Sequence, residues 1–285
     1  MHSTSRGHTA LLTGTALVAF AGNSILCRLA LRDGEIDPWS FTSIRLASGA
    51  LLLLLFLRVS KRNPTSPRPV AWKPTAAATL FVYVFTFSLA YVSLDAGTGS
   101  LLLFGTVQIT MVIAGLYSGE RPTPLNMVGT LTAASGVAWL VWPGVSAPDP
   151  VGAALMITAG IAWGSYSLLG RGATQPTVTT ARNFALATPI AMLAMACSSQ
   201  QLSITINGAW LAIASGAITS GLGYALWYMA LPNHSATRAA ALQLSVPIIA
   251  AVGGVAFLGE AASARLLAAS SLTISGVAVA TLSRR

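Results

Sequence analysis

Ten apolar stretches of about twenty residues follow one another along this chain. Polar residues, Pro and Gly collect in the short breaks between them. An apolar run of that length matches an α-helix long enough to cross a bilayer. The stretches fall at about 10–30, 38–58, 72–94, 98–118, 124–142, 151–170, 177–198, 208–231, 236–258 and 264–282. Unbroken runs such as Leu51 to Leu57 argue for helices, because barrel strands would alternate apolar and polar positions. The breaks carry turn and helix-stop residues: Asp37-Pro38, Asn63-Pro64, Arg121-Pro122, Trp142-Pro143-Gly144 and Leu231-Pro232-Asn233. The run from Thr9 to Phe20, preceded by Arg6, has the outline of a signal peptide. It continues through Asn23 and Cys27, so a retained first helix is expected.

The pattern repeats. Gly119-Glu120, followed by Ser135-Gly136-Val137-Ala138, returns 140 positions later as Gly259-Glu260 and Ser275-Gly276-Val277-Ala278. Trp72 and Trp210, Tyr91 and Tyr228, and Arg45 and Arg182 extend the correspondence at offsets of 137 or 138. A period of half the chain means two copies of one unit, expected at 1–145 and 146–285. Each copy holds five spans. Five is odd, so the second copy enters the membrane inverted, an architecture typical of transporters.

Composition sets the solvent. Charged residues are 8% of the chain and apolar ones 54%, whereas a soluble domain carries about 25% charged residues. Such a chain cannot cover a water-facing surface, and an integral membrane protein follows. Its formal charge of +9 does not call for nucleic acid, because the basic residues sit in short loops. With the N-terminus inside, eleven basic residues fall on the inner side and only Arg28, Arg32 and Arg265 on the outer. The positive-inside rule then places both termini in the cytoplasm of a cell inner membrane. Cys27 and Cys197 fall in apolar spans and are expected as small buried hydrophobes, not a disulfide.

Intramembrane catalysis lacks its parts. His2, His8 and His234 are terminal or in a loop, so no span offers a histidine base. No HExxH helix is present for zinc. No acidic residue reaches mid-span to form a carboxylate pair. No metal or cofactor is expected.

A transporter needs polar or aromatic groups between its halves. Asn23, Gln108 and Gln243 are the mid-span amides, and each can serve as helix glue or as a ligand to substrate. Pro247 can free backbone carbonyls in the ninth span. Tyr83 and Trp163 lie near mid-span and could line a pocket, with ordinary packing as the alternative. Trp72, Trp142 and Trp210 have the placement of an interfacial belt. Arg45 and Arg182 lie in the first third of their helices, where each can snorkel to an interface. They are expected in structural or gating roles at opposite faces, with direct substrate contact as the alternative.

Phe20-Ala21-Gly22-Asn23-Ser24, then Pro38 and Ile44-Arg45-Leu46, together with Leu258-Gly259-Glu260 and Ser275-Gly276, resemble the ten-helix drug/metabolite transporter superfamily. The resemblance is to its EamA-type exporters, and within them to bacterial exporters of aromatic and other neutral amino acids. It implies an all-α fold of two inverted five-helix repeats around a central cavity. Helices one, three, four, six, eight and nine would line that cavity, with five and ten peripheral. By position, Asn23, Tyr83, Gln108, Trp163, Tyr224 and Gln243 fall on cavity-type helices. Pro247 has no proline partner near Val107, so the half-sites are expected to be unequal. The function implied is export of small metabolites, amino acids first, by alternating access. Multidrug or other metabolite export, and an intramembrane enzyme, stand as alternatives. The partners expected are a small-molecule substrate and the lipid bilayer, with no nucleic acid and with a monomer as the default.

Overall fold

Helix starts in this chain are written locally. Proline opens five helices, at Pro38, Pro74, Pro124, Pro150 and Pro176, where its missing N–H is no loss and its fixed φ is already helical. Side chains just upstream complete the caps. Asp37 accepts from the amides of Trp39 and Ser40 at 3.0 and 2.9 Å. Thr123 forms a capping box with Asn126, Asp149 accepts from Gly152 N, and Thr205 accepts from Gly208 N. Such caps satisfy amides that a helix leaves orphaned.

The computed structural model describes residues 6–59, 74–117, 123–144, 147–170, 173, 175–199, 201–230, 242–243 and 245–282. The helices are α1 (Arg6–Arg32), α2 (Pro38–Val59), α3 (Pro74–Ala90), α4 (Ala96–Tyr117) and α5 (Pro124–Val141). They continue as α6 (Pro150–Leu169), α7 (Pro176–Ala196), α8, α9 (Ser245–Leu258) and α10 (Ala264–Leu282). α8 runs through three consecutive segments, Ile206–Ile213, a π-helical stretch Ala214–Leu222, and Gly223–Ala230. No strand occurs among the described residues beyond an isolated bridge between Ile36 and Ile204. Ten helices, in a fold of two repeats, agree with the apolar pattern. The start expected for the ninth span, the Trp72 partner of Trp210 and the Gly119-Glu120 pair lie outside the described residues.

Among the described residues, six helices are long and apolar enough to cross a membrane, and three shorter ones are apolar. α7 is more polar in its first turns, which carry Thr177, Thr179, Thr180, Arg182 and Asn183. Exchanging α1–α5 for α6–α10 maps most of the packing onto itself; the α4–α5, α4–α10 and α1–α4 contacts have no counterpart of similar extent among the described residues. The α1–α9 contact corresponds to α6–α4, α1–α8 to α6–α3, and α2–α8 to α7–α3, while α2–α7, α4–α9 and α5–α10 are self-paired.

Both Ser-Gly-Val-Ala stretches lie in the α5–α10 pair, Gly136 against Ala269 and Thr273 and Gly276 against Gly129 and Ala133. A Cβ on Gly129 would overlap Ala280 N and Gly276 O, and one on Gly276 would overlap the backbone of Ala133 and Gly129. Backbones approach this closely only through residues without side chains. Asn126 Nδ2 also donates to Ala280 O across the pair. One expectation on the cysteines changes. Cys27 is buried, but Cys197 is exposed, because α7 ends at Ala196 and Cys197 caps it outside the packed interior.

Candidate functional site

Aromatic side chains from five helices converge in the middle of the bundle. Trp163 of α6 is the hub. Its ring centroid lies 4.8 Å from Tyr83 of α3, 5.2 Å from Tyr224 of α8 and 5.5 Å from Tyr166 on its own helix. Tyr224 in turn meets Phe20 of α1 at 5.6 Å and Phe184 of α7 at 6.0 Å. Most of these contacts are tilted or edge-on, the arrangement favoured by ring quadrupoles. Tyr83 and Tyr224 are buried, while Trp163 and Phe20 are only partly so. The cluster therefore holds a partly accessible indole with phenolic side chains packed beside it.

Polar side chains of α1, α2 and α8 gather nearby and are joined to the rings through Arg45 and Tyr83. The π-helical stretch of α8 supplies most of them. A π-turn carries an extra residue and re-aims the side chains around it, and such turns concentrate at functional sites. Here Ser215 Oγ donates to Asn23 Oδ1 at 2.6 Å. Thr219 Oγ1 lies 3.1 Å from the same oxygen and donates to Ser215 O at 2.8 Å. Ser220 turns instead toward α2, where Arg45 Nε donates to its hydroxyl at 3.3 Å. Gly216 makes the approach possible, since a Cβ there would overlap Arg45 O and Ser48 Oγ.

Arg45 does not snorkel, as the sequence suggested it could. It is 1% exposed. Its Nη2 donates to Tyr83 Oη at 3.4 Å, and its guanidinium lies 4.9 Å from the Phe87 ring centroid and 5.7 Å from that of Tyr83. The repeat-related Arg182 is exposed at the start of α7. Its neighbour Asn183 is the buried one and donates to Tyr166 Oη at 3.3 Å. The two arginines thus occupy unlike environments.

One end of the bundle is sealed by charge. All six acidic residues among those described, Asp33, Glu35, Asp37, Asp95, Asp149 and Glu260, sit in loops or helix caps at this end. Glu260, with its side chain 8% exposed, caps α4 of the opposite repeat by accepting from Ala96 N with both oxygens, at 3.0 and 2.9 Å. Arg28 Nε is 3.4 Å from Glu260 Oε1, close enough for an ion pair although its N–H is not aligned as a hydrogen bond. Arg28 also donates to Tyr91 O and Val92 O, and Arg32 donates to Leu258 O at 2.7 Å. These bonds tie α1, the α3–α4 turn and the end of α9 into one lid.

Burial pushes the Glu260 carboxyl up; the Ala96 amide opposes this, Asp95 adds to it and Arg28 opposes it. A raised folded-state pKa means tighter proton binding than in the unfolded chain. It adds stability at low pH that is lost as pH rises from the ordinary glutamate range through the raised value. Glu260→Gln removes this titration. The melting temperature of wild type relative to Glu260→Gln is expected to fall as pH rises across that window. A difference independent of pH would show that desolvation does not dominate at Glu260.

Of the residues singled out in the sequence, the structure brings Tyr83, Trp163 and Tyr224 into direct contact and sets Asn23 among the nearby polar side chains. Gln108 and Gln243 are half-buried and take no part in these bonds. Pro247 is buried in the first turn of α9. Sequence reasoning missed Ser215, Thr219 and Ser220 as partners of Asn23 and Arg45. The cluster of Gly216, Gly221 and Gly223 was their only local sign, and it reads equally as close packing. Among the described residues, no three of His, Cys, Asp and Glu come together to hold a metal.

The model of the EamA-like transporter family matches residues 8–142 and again 150–282. The chain belongs to the EamA-like transporter family. As an EamA-like protein it is a multi-pass membrane protein. It is 49% identical to an uncharacterised protein of Pseudomonas aeruginosa over 95% of this chain and 93% of that one. It is 29% identical to the threonine/homoserine exporter RhtA of Escherichia coli, over 77% and 73% of the two chains. A probable terminal-alkyne amino-acid exporter of Streptantibioticus cattleyicolor is 26% identical over 70% of this chain and 69% of its own length. A solved crystal structure shares the EamA-like chain's fold with a TM-score of 0.69 at 17% identity, over 98% of both chains.

Proposed function

We propose that this protein exports small zwitterionic metabolites, with amino acids the class its interior suits best. The observation that carries the reading is the mid-bundle cluster around Trp163, an aromatic surface with the Tyr83 hydroxyl at its border and with the Asn23–Ser215–Thr219 polar group on the helices that carry Phe20 and Tyr224. Rings accept an apolar side chain, and the polar side chains can bind amino and carboxylate groups. The amino-acid exporters among the relatives favour the same class. Export of cationic drugs is the second reading. It is disfavoured because the six described acidic residues all stand at one end of the bundle, away from the rings. Rocking of the two repeats about the rings would expose the site to each side in turn. The inner membrane, with both termini cytoplasmic, is the placement the basic residues favour.

The test is counterflow in proteoliposomes loaded in turn with each of the twenty amino acids, and with neutral and cationic drugs as controls. Accumulation of labelled neutral or aromatic amino acids is expected. Movement of drugs but of no amino acid would replace this reading with the second one.

A further inference from the structure

Among the described residues, Arg45 is a charge without a counter-charge. The ion pairs among the described residues are Arg28–Asp95, Arg28–Glu260 and Arg32–Asp33, all at the sealed end. Arg45 is in none of them. Its partners are neutral: a serine hydroxyl, a tyrosine hydroxyl and two ring faces. Its Nη1 is buried and makes no hydrogen bond among the described residues. A buried ion left in this condition is strongly unfavourable, and cation–π contacts offset only part of that. Intramembrane arginines persist where function requires them. The repeat itself does not require this one, because the corresponding Arg182 is exposed.

The surroundings say what ligand would suit it. Guanidinium is a planar fork matched to a two-oxygen anion, and it binds carboxylate through parallel N–H donors. Among the described residues Nη1 is unbonded, and Nη2 holds only a long 3.4 Å contact to Tyr83 Oη. Tyr83 also touches Trp163. One movement of the Tyr83 side chain would therefore open the fork to a solute already lying on the indole.

We propose that Arg45 anchors a carboxylate of the transported solute, with Tyr83 closing over it when no carboxylate is bound. The inference rests on the transport reading above and narrows it to solutes that carry a carboxylate. The ring cluster holds the rest of the molecule, and the carboxylate points toward α2. The hydroxyl of Tyr83 gives way to the solute's oxygens, and Ser220 keeps the guanidinium in place through Nε.

Matched ligands test this on the full-length protein in detergent, read by the quenching of tryptophan fluorescence. The set is phenylalanine, phenylalaninamide, phenethylamine and 3-phenylpropionate. Wild type is expected to bind the two carboxylates about 10- to 100-fold more tightly than the amide and amine. Arg45→Gln should abolish that preference and Arg45→Lys should keep only part of it. Both should bind the amide and amine within about threefold of wild type. Equal loss for all four ligands, in variants that melt like wild type, would make Arg45 a scaffold residue and overturn the proposal. Wild type itself decides the matter if the variants do not fold, because absence of carboxylate preference there also overturns it. Carboxylate preference together with no amino-acid counterflow would remove the amino-acid reading but leave Arg45 in its role. Amino-acid counterflow that Arg45→Gln leaves unchanged would do the reverse.

Discussion

Trp163→Ala is expected to lower transport, as kcat/KM, by about ten- to a hundredfold. The indole makes two inter-helix ring contacts, with Tyr83 and Tyr224. Each such pair contributes about 0.5–1.5 kcal/mol beyond the area it buries. Losing both removes about 1–3 kcal/mol, and ten- to a hundredfold is the effect if about 1.4–2.7 kcal/mol of that is felt in the transport step. Trp163 also joins α6 to α3 and α8, so its loss loosens contacts within and between the repeats. Trp163→Phe keeps a ring and should retain most of the activity. Proteoliposome transport is the readout, with the melting temperature of each variant to separate a damaged site from a damaged fold. A folded Trp163→Ala protein that transports at the wild-type rate would show that the rings are packing alone.

Gly276→Leu should act on stability and not on the site. At this position a side chain would enter the backbone of Ala133 and Gly129 on α5, and backbone cannot rotate out of the way as a side-chain tip can. Overpacking of a tight contact costs typically 1–3 kcal/mol, and here about 3 kcal/mol is expected. Gly14→Leu is the internal control. No atom lies within 4 Å of a Cβ at Gly14, and a change within about 0.5 kcal/mol is expected there. Both are read by unfolding in detergent. Equal effects of the two substitutions would mean that the α5–α10 contact is not close-packed. The best-preserved part of the repeat is thus where the two copies grip each other, and the unequal part is where the rings and Arg45 lie.

The two arginines show why duplication did not reveal the site. Arg45 and Arg182 match by position, and by sequence each could reach an interface. Arg45 is held inside because Gly216 lets α8 close against α2 and because Ser220, Tyr83 and Phe87 are there to receive it. In the other copy it is Asn183, one residue along, that is buried and bonded to Tyr166. A single step along a helix turns a side chain by about 100°, enough to exchange the inside of the bundle for its surface.

The sequence by itself determined the solvent, the number of spans, their approximate ends and the twofold repeat. Those features are local or arithmetical: bilayer-length apolar runs, prolines and aspartates at helix starts, and residues recurring at a constant offset. The aromatic cluster was half legible, because Tyr83 and Trp163 lie near mid-span. Which face of each helix looks inward was decided only by the tertiary structure. A soluble helix declares its inner face by an apolar stripe, but helices that are apolar all round carry little such signal. The burial of Arg45, the pairing of Asn23 with Ser215 across 192 residues of chain, and the π-turn that aims Ser220 depend on helix rotation and close approach. Those are set by small residues and hydrogen bonds between distant segments, and no local pattern of hydrophobicity encodes them.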